Sequence, residues 1–320
     1  MKYILSADIG TTALKAAVFD ENGRVLGAGL REYATLAPLP GRAEMDPETY
    51  LAAFRGSVAD ALRSSGVRAD ELLVIGLSTQ GETTLLLDEN DRPLGNAIVW
   101  LDNRALAEAA DISAHFGAEE IQRRTGQVGA DAIWPGAKLL WIRRNEPERF
   151  EKLRRAVQLE SWFSLLLTGT AAGEDSILGS SVYFDIRTRS WWPEMLEYIG
   201  IPETYLPEIR KPGAIVGHIT EEAAGRFGLS SGTLLSIGGI DLACGAVGVG
   251  NIRPGAFSDV TGSALCTMTM TDRIVLTLAS SVSVSTLSSK RSGEMVPWYH
   301  DCASKYFCSS AELNRLPCLA

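Results

Sequence analysis

An α/β protein is predicted, on three observations. The chain opens with three short apolar runs, residues 3–7, 14–19 and 25–33, joined by sequences typical of tight turns. A helix-spaced apolar set follows at Tyr50, Phe54, Val58, Ala61 and Leu62. Strand-like runs then return at residues 72–77 and 234–239. Helical and extended periodicities that alternate along one chain predict helices packed on a sheet.

Each element has a local cause. Asp20-Glu21-Asn22-Gly23 separates the second and third runs, and Asn-Gly between two strands is a strong hairpin signal. A loop rich in Pro and Gly spans 37–47, where Asp46 can cap a helix and Pro47 fits its first turn. Strands are expected at 72–77, 85–88 and 97–100, with Asn90-Asp91-Arg92-Pro93 as a turn. A helix is expected from about 103 to 115, and helical segments through Leu166. Residues 183–207, with Trp191 and Trp192, read as a packed irregular cap. From Pro254 onward Gly, Ser and Thr rise, and no repeat appears at periods of ~20–50 residues. The division expected is a first domain over 1–250 and the opening strands of a second over 251–320.

Composition narrows the function. With 320 residues, 46% hydrophobic and 22% charged, the chain reads as a soluble globular protein. A net charge of -9 argues against nucleic acid, which needs clustered Lys and Arg. Asp8 interrupts the apolar start too early for a signal peptide, and no run is long enough to span a membrane, so a cytoplasmic protein is expected. Cys244, Cys266, Cys302, Cys308 and Cys318 show no paired C-x-x-C spacing, and His115, His218 and His300 lie far apart. Neither set predicts a disulfide framework or a His/Cys metal site.

Three constellations can carry chemistry. Asp8-Ile9-Gly10-Thr11-Thr12, with Lys15 just beyond, places Gly, hydroxyls and an acid in a turn between strands. Such a turn can cradle phosphate while the acid holds Mg²⁺, or it can be a hairpin satisfying its own backbone. Gly238-Gly239-Ile240-Asp241 ends a strand on an acid, which suits a general base or a helix N-cap. Thr261-Gly262-Ser263 is a second hydroxyl-rich turn, either another phosphate cradle or an ordinary hairpin.

In that order along the chain, these segments resemble the FGGY carbohydrate kinases. The likeness extends to Pro40 through Pro47, to Leu77-Ser78-Thr79-Gln80-Gly81-Glu82 and to Val99-Trp100-Leu101-Asp102-Asn103-Arg104. It also takes in Leu166-Leu167-Thr168-Gly169 with Asp175-Ser176, and Gly228 through Thr233 before the strand to Asp241. The resemblance implies a ribonuclease-H-like, actin-like ATPase fold with a complete first domain and a partial second. It implies ATP and Mg²⁺ as cofactors and a small sugar or polyol as substrate. By the same resemblance Asp241 is the base and Asp8 sits beside Mg²⁺. Gly10, Thr11, Thr12, Lys15, Thr261, Gly262 and Ser263 then face the nucleotide. Glu82, Trp100 and Asp102 line the sugar site, with Gln80 and Arg104 nearby.

Thr261-Gly262-Ser263 is permuted relative to the usual Gly-Thr-Ser order of the family. Gly81 stands where the glycerol-specific branch has Arg, and Ile133 near where it has Tyr. These departures favour a pentulose, hexulose or other polyol over glycerol. Family members continue for a further ~150–200 residues, the size of another domain. The strands after Pro254 are therefore expected to leave Val275, Leu276 and Phe307 exposed. Two rival readings are a catalytically inactive remnant that at most binds sugar, and an actin-like nucleotide sensor. The sugar-side segments count against the sensor. A homodimer is open to either kinase reading.

Overall fold

The computed structural model describes residues 2–261 and 265–270, with the backbone of strands 282–288 and 295–302. In chain order the first half contains β1 (Tyr3–Ile9), β2 (Ala13–Phe19), β3 (Val25–Glu32), β4 (Glu44–Met45) and α1 (Pro47–Ser65). It continues with β5 (Leu72–Thr79), β6 (Thr84–Leu87), β7 (Ala97–Ile98), α2 (Leu106–Phe116), α3 (Ala118–Thr125) and α4 (Pro135–Asn145). After α5 (Pro147–Glu151) come β8 (Arg155–Gln158), α6 (Leu159–Thr168), β9 (Ala172–Glu174) and α7 (Asp175–Leu178). Then follow β10 (Phe184–Asp185), β11 (Ser190–Trp191), α8 (Pro193–Ile199), β12 (Glu208–Arg210), β13 (Ile215–His218) and α9 (Glu221–Phe227). The last described elements are β14 (Leu234–Ile240), α10 (Asp241–Gly248), β15 (Phe257–Thr261), β16 (Leu265–Met270), β17 (Val282–Ser288) and β18 (Met295–Cys302).

The central sheet has the order β13-β14-β5-β1-β2-β3. β1, β2 and β3 form an antiparallel meander, while β5 and β14 add in parallel to β1. Alternation explains which face is covered. Leu5, Ala7 and Ile9 on β1 and Leu14, Ala16 and Val18 on β2 are buried, at the period of two that a strand demands. α1 lies on that sheet, capped by Asp46, whose carboxylate accepts the Glu48 N–H. The helix approaches β3 so closely that a Cβ at Gly29 would fall 2.2 Å from the Ser57 carbonyl oxygen. Phe54 anchors the layer, with Phe163 of α6 at 5.2 Å and Phe227 of α9 at 5.1 Å between ring centres. Removing such a buried ring costs about 3–5 kcal/mol.

A second sheet, β4-β7-β6-β8, leads into the loop that carries Trp100, and a second apolar cluster under it joins α2, α4 and α8. Residues 183–207 do form a small packed unit, built from the β10–β11 hairpin and α8 over Trp191 and Trp192. β15, β16, β18 and β17 form a separate antiparallel sheet, and Met268 packs with Ala243 and Ala246 of α10. Val275, Leu276 and Phe307 lie outside the described residues.

Two local expectations need correction. The strand expected over 97–100 ends at Ile98, because the Val99 carbonyl accepts the Asp102 N–H and the Lys138 ammonium, turning the chain. The helix expected from 103 starts at Leu106, because Asp102 holds the Arg104 N–H at 2.9 Å in a turn. Helical segments do dominate through Leu166, and the refinement there is that 155–158 is a strand paired with β6. Neither Cys244 nor Cys266 is in a disulfide, and among the described residues no helix is long and apolar enough to cross a membrane.

Candidate functional site

The carboxyl ends of the parallel strands β1, β5 and β14 lie abreast, with Asp8 beside Ser78 and Ser78 beside Gly239. Open α/β sheets bind ligands at such strand ends. Asp8 accepts the Ser78 hydroxyl at 2.9 Å, lies 3.8 Å from the Lys15 ammonium and keeps 34% of its side chain exposed. The turn after it is held from below. The Gly10 carbonyl accepts the Tyr33 hydroxyl at 2.6 Å and the Gln80 side-chain N–H at 3.0 Å, and Gln80 also donates to the Tyr50 hydroxyl. Thr11 Oγ1 accepts the Trp100 indole N–H at 2.9 Å, while Thr12 is exposed.

Asp241 is the first residue of α10, and the cap position before it belongs to Ile240. The helix N-cap alternative is thereby corrected. Its Oδ1 accepts the Leu242 N–H at 2.7 Å. Burial, then the charges of Asp8 and Glu82, push its carboxyl up to about 7, against the pull of Leu242 N–H and Lys15. A carboxyl poised there can both hold and release a proton at neutral pH.

Glu82 follows β5 with a left-handed φ of 54°, a conformation a non-glycine residue adopts at a cost and usually at a site. Its N–H donates to the Gln158 side-chain oxygen at 2.9 Å, and burial raises its carboxyl against the opposing pull of Lys138 and Ser180. Lys138 of α4 is fully buried, and its ammonium donates to the Glu82 and Val99 carbonyls at 3.0 Å each. Burial lowers its affinity for the proton, while Glu82 and Asp102 restore part of it.

Asp102 and Arg104 sit together but are turned inward. Asp102 accepts from Ala43 N–H at 2.7 Å, from Arg104 N–H at 2.9 Å and from the guanidinium at 2.8 Å on each oxygen, so all four lone-pair positions are engaged. Arg104 also pairs with Glu44 at 2.5 Å and lies 5.1 Å over the Trp141 ring. Burial alone would raise Asp102, but these donors outweigh it and hold the carboxyl below its usual range. Thr261 closes β15 opposite Leu265, away from this cluster in sequence, and Gly262 and Ser263 lie outside the described residues.

The structure thus gathers Asp8, Gly10, Thr11, Gln80, Glu82, Trp100 and Asp241 around the strand ends. Sequence reasoning passed over Ser78, Lys138 and Glu44. Lys138 leaves a signal: it occupies the same helical face as Trp134 and Ile142, where a solvated lysine does not belong. Asp8 also passes a test for Mg²⁺. Among the described residues no three His, Cys, Asp or Glu side chains converge as a cage, yet one carboxylate a third exposed, with the exposed Thr12 in the turn that follows, suits an ion that keeps its waters and shares phosphate oxygens.

The architecture is that of sugar kinases of the actin-like ATPase fold. A xylulose kinase from Rhodospirillum rubrum superposes with a TM-score of 0.86 at 23% identity, covering 94% of this chain and 61% of that one. A Plasmodium falciparum glycerol kinase with ADP gives 0.84 at 21% identity, covering 94% and 61%. The chain belongs to the FGGY family of carbohydrate kinases, whose N-terminal domain matches residues 3–248. Glycerol kinase of Deinococcus radiodurans is 35% identical over 234 residues, 71% of this chain and 46% of that protein. Autoinducer-2 kinase of Yersinia enterocolitica is 29% identical over 266 residues, 82% of this chain and 50% of that protein. The chain therefore spans about half the length of these curated relatives.

Proposed function

We propose that this chain carries the sugar side of an ATP-dependent kinase that phosphorylates a hydroxyl of a pentulose, hexulose or polyol. The observation that supports this most is the placement of Asp241: it starts α10 directly after β14, at the end of the three parallel strands, where burial and the charge of Asp8 raise its carboxyl. Asp241 takes the proton from the attacking hydroxyl oxygen, which becomes nucleophilic as that O–H bond breaks. Asp8 is placed to hold Mg²⁺ through water, with Thr11, Thr12 and Lys15 toward the phosphates and the 261–263 turn as a further contact. Bound Mg-ATP supplies the phosphoryl group and neutralises its charge. Glu82 and Trp100 line the sugar side, Gln80 supports the Gly10 turn, and Asp102 with Arg104 fixes the loop that carries Trp100.

Glycerol is disfavoured as the substrate. An arginine at 81 would begin with a Cβ 2.7 Å from Ile240 Cδ1, next to Asp241, so the Ile240 side chain would have to turn away to admit it. The test is to assay the chain with Mg-ATP against ketoses and polyols, alone and joined to the further ~150–200 residues that the family carries, with calorimetry for binding. Efficient turnover is expected only of the longer form, with a ketose or larger polyol preferred to glycerol. Binding without turnover by the longer form would replace the proposal by the sugar-binding remnant, and preference for glycerol would remove the argument from Gly81.

A further inference from the structure

Packed against β14, three polar side chains are fully buried: Glu160 of α6, Glu174 at the end of β9 and Ser176 of α7. Two carboxyls in one dry place are costly, and apolar residues of the same volume would fill it more cheaply. Their contacts engage every side-chain oxygen of the three except Glu160 Oε2, which is buried without a hydrogen-bond partner. Glu160 Oε1 accepts the Gly238 N–H at 3.0 Å. Glu174 accepts the Ser176 hydroxyl and the backbone N–H groups of Ser176 and Ile177 at 2.9 Å each. Ser176 Oγ in turn accepts the Ile240 N–H at 3.0 Å. Gly239 between them has no side chain to hold the group off: a Cβ there would lie 3.1 Å from Ser176 Oγ.

We propose that Glu160, Glu174 and Ser176 form a buried clamp that positions Asp241 by gripping the backbone of Gly238 and Ile240. The proposal rests on reading Asp241 as the base, and it makes these three positioning residues that never touch substrate. A base must be held within about 0.5 Å of its working place. β5 pairs with β14 at Gly239 and Ile240 but shifts register before Gly239, and the clamp takes the Gly238 and Ile240 N–H groups from other elements. Cys244 adds a weak contact from its thiol to the Gly239 carbonyl at 3.6 Å. Burial raises both glutamates, Glu160 further through the charge of Glu174 and Glu174 further through that of Asp175, against the pull of its Ser176 and Ile177 hydrogen bonds. Asp175 and Cys244 are the other titratable groups facing this pair.

The test uses the 320-residue chain and its S176A, S176T and E160M variants. Amide exchange is followed at Gly238 and Ile240, together with the carboxyl-carbon resonance of Asp241. S176A is expected to speed Ile240 exchange about tenfold through local opening and to move the Asp241 resonance, with the unfolding midpoint little changed. S176T, which keeps the hydroxyl, falls between S176A and the parent. If S176A does not fold, E160M carries the test at Gly238. Unchanged exchange and resonance, or changes no larger than a global loss of stability produces, overturn the clamp. Kinetics, read in the longer form, separate it from the reading it rests on. A D241N variant as active as the parent removes Asp241 as base but leaves the exchange result standing. An inactive D241N beside S176A with the parent kcat removes the clamp alone.

Discussion

The indole N–H of Trp100 donates to Thr11 Oγ1 at 2.9 Å, joining residues 89 positions apart in the chain. One partner belongs to the turn after β1, proposed to face phosphates, and the other to the loop after β7, proposed to face the sugar. Trp100 is in turn held by its own N–H on Thr83 Oγ1 at 3.3 Å. The two halves of the site therefore share a hydrogen bond before any ligand arrives.

Trp100→Phe keeps the ring and removes the donor. Loss of one neutral hydrogen bond of ~1 kcal/mol predicts about fivefold weaker binding of both sugar and Mg-ATP. Thr11→Val should do the same, and the double variant should be no worse than the worse single one, because both remove one interaction. Calorimetry of each ligand checks this. Sugar binding that falls while nucleotide binding holds would show that the bond does not couple the two sides.

Asp241→Asn separates catalysis from stability. As the base, its loss lowers kcat by about 10²–10⁴-fold, and the parent rate should fall on the acid side with a midpoint near 7. The stability effect has the opposite sense. Between the unfolded value of 3.8 and the folded value of about 7, the folded chain keeps a proton that the unfolded chain has released. Stability therefore falls as pH rises through that interval and stays reduced above it. Asn carries no such penalty, so D241N should melt higher than the parent at pH 8, and the gain should vanish toward pH 4. A variant that melts lower at both pH values would place Asp241 in a structural role.

What the sequence disclosed follows from the range of each interaction. Local chemistry was readable: the Asn22-Gly23 hairpin, the Asp46 cap and the strands leading to Asp8 and Asp241 all depend on near neighbours. Trp100 was legible only through resemblance, since its bond to Thr11 spans 89 residues. Residues 97–100 looked like one strand because their apolar pattern says nothing of the Lys138 ammonium that takes the Val99 carbonyl. Strand 155–158 was absorbed into helices because four residues with three buried in a row have neither period. Glu160 and Glu174 look like surface acids in sequence, and only the assembled fold closes over them.

Lys138→Met tests the buried cation. The substitution conserves length and apolar stem but leaves the Glu82 carbonyl with only the Thr84 hydroxyl, the Val99 carbonyl with only the Asp102 N–H, and Glu82 without its counter-charge. Removing one partner of a buried pair costs about 3–5 kcal/mol, measurable as a lower urea midpoint. Glu82→Gln in the same chain should recover part of that loss, with a coupling of about 0.5–3 kcal/mol. Strict additivity of the two substitutions would mean that the charges do not sense each other.

Gly238→Ala tests the strand that delivers Asp241. An added Cβ would lie 1.5 Å from the Leu77 carbonyl oxygen and 2.6 Å from its carbon. Both are backbone atoms in the middle of the sheet, so no side chain can swing away to make room. The approach arises where the β14–β5 register shifts between Ser236 and Gly239 and the Gly238 N–H turns to Glu160. Alanine must push β14 off β5 at this point, and it takes the Glu160 contact and the start of α10 with it. Overpacking of this kind costs about 1–3 kcal/mol where side chains can adjust and more where backbone is struck, so loss of folded protein or a much lower urea midpoint is expected. Gly76→Ala is the matching control on β5. A Cβ there meets nothing within 4 Å, and relief of the strand glycine's entropy should leave stability unchanged or slightly higher. Equal midpoints for the two variants would show that β14 does not approach Leu77 as closely as its glycine permits.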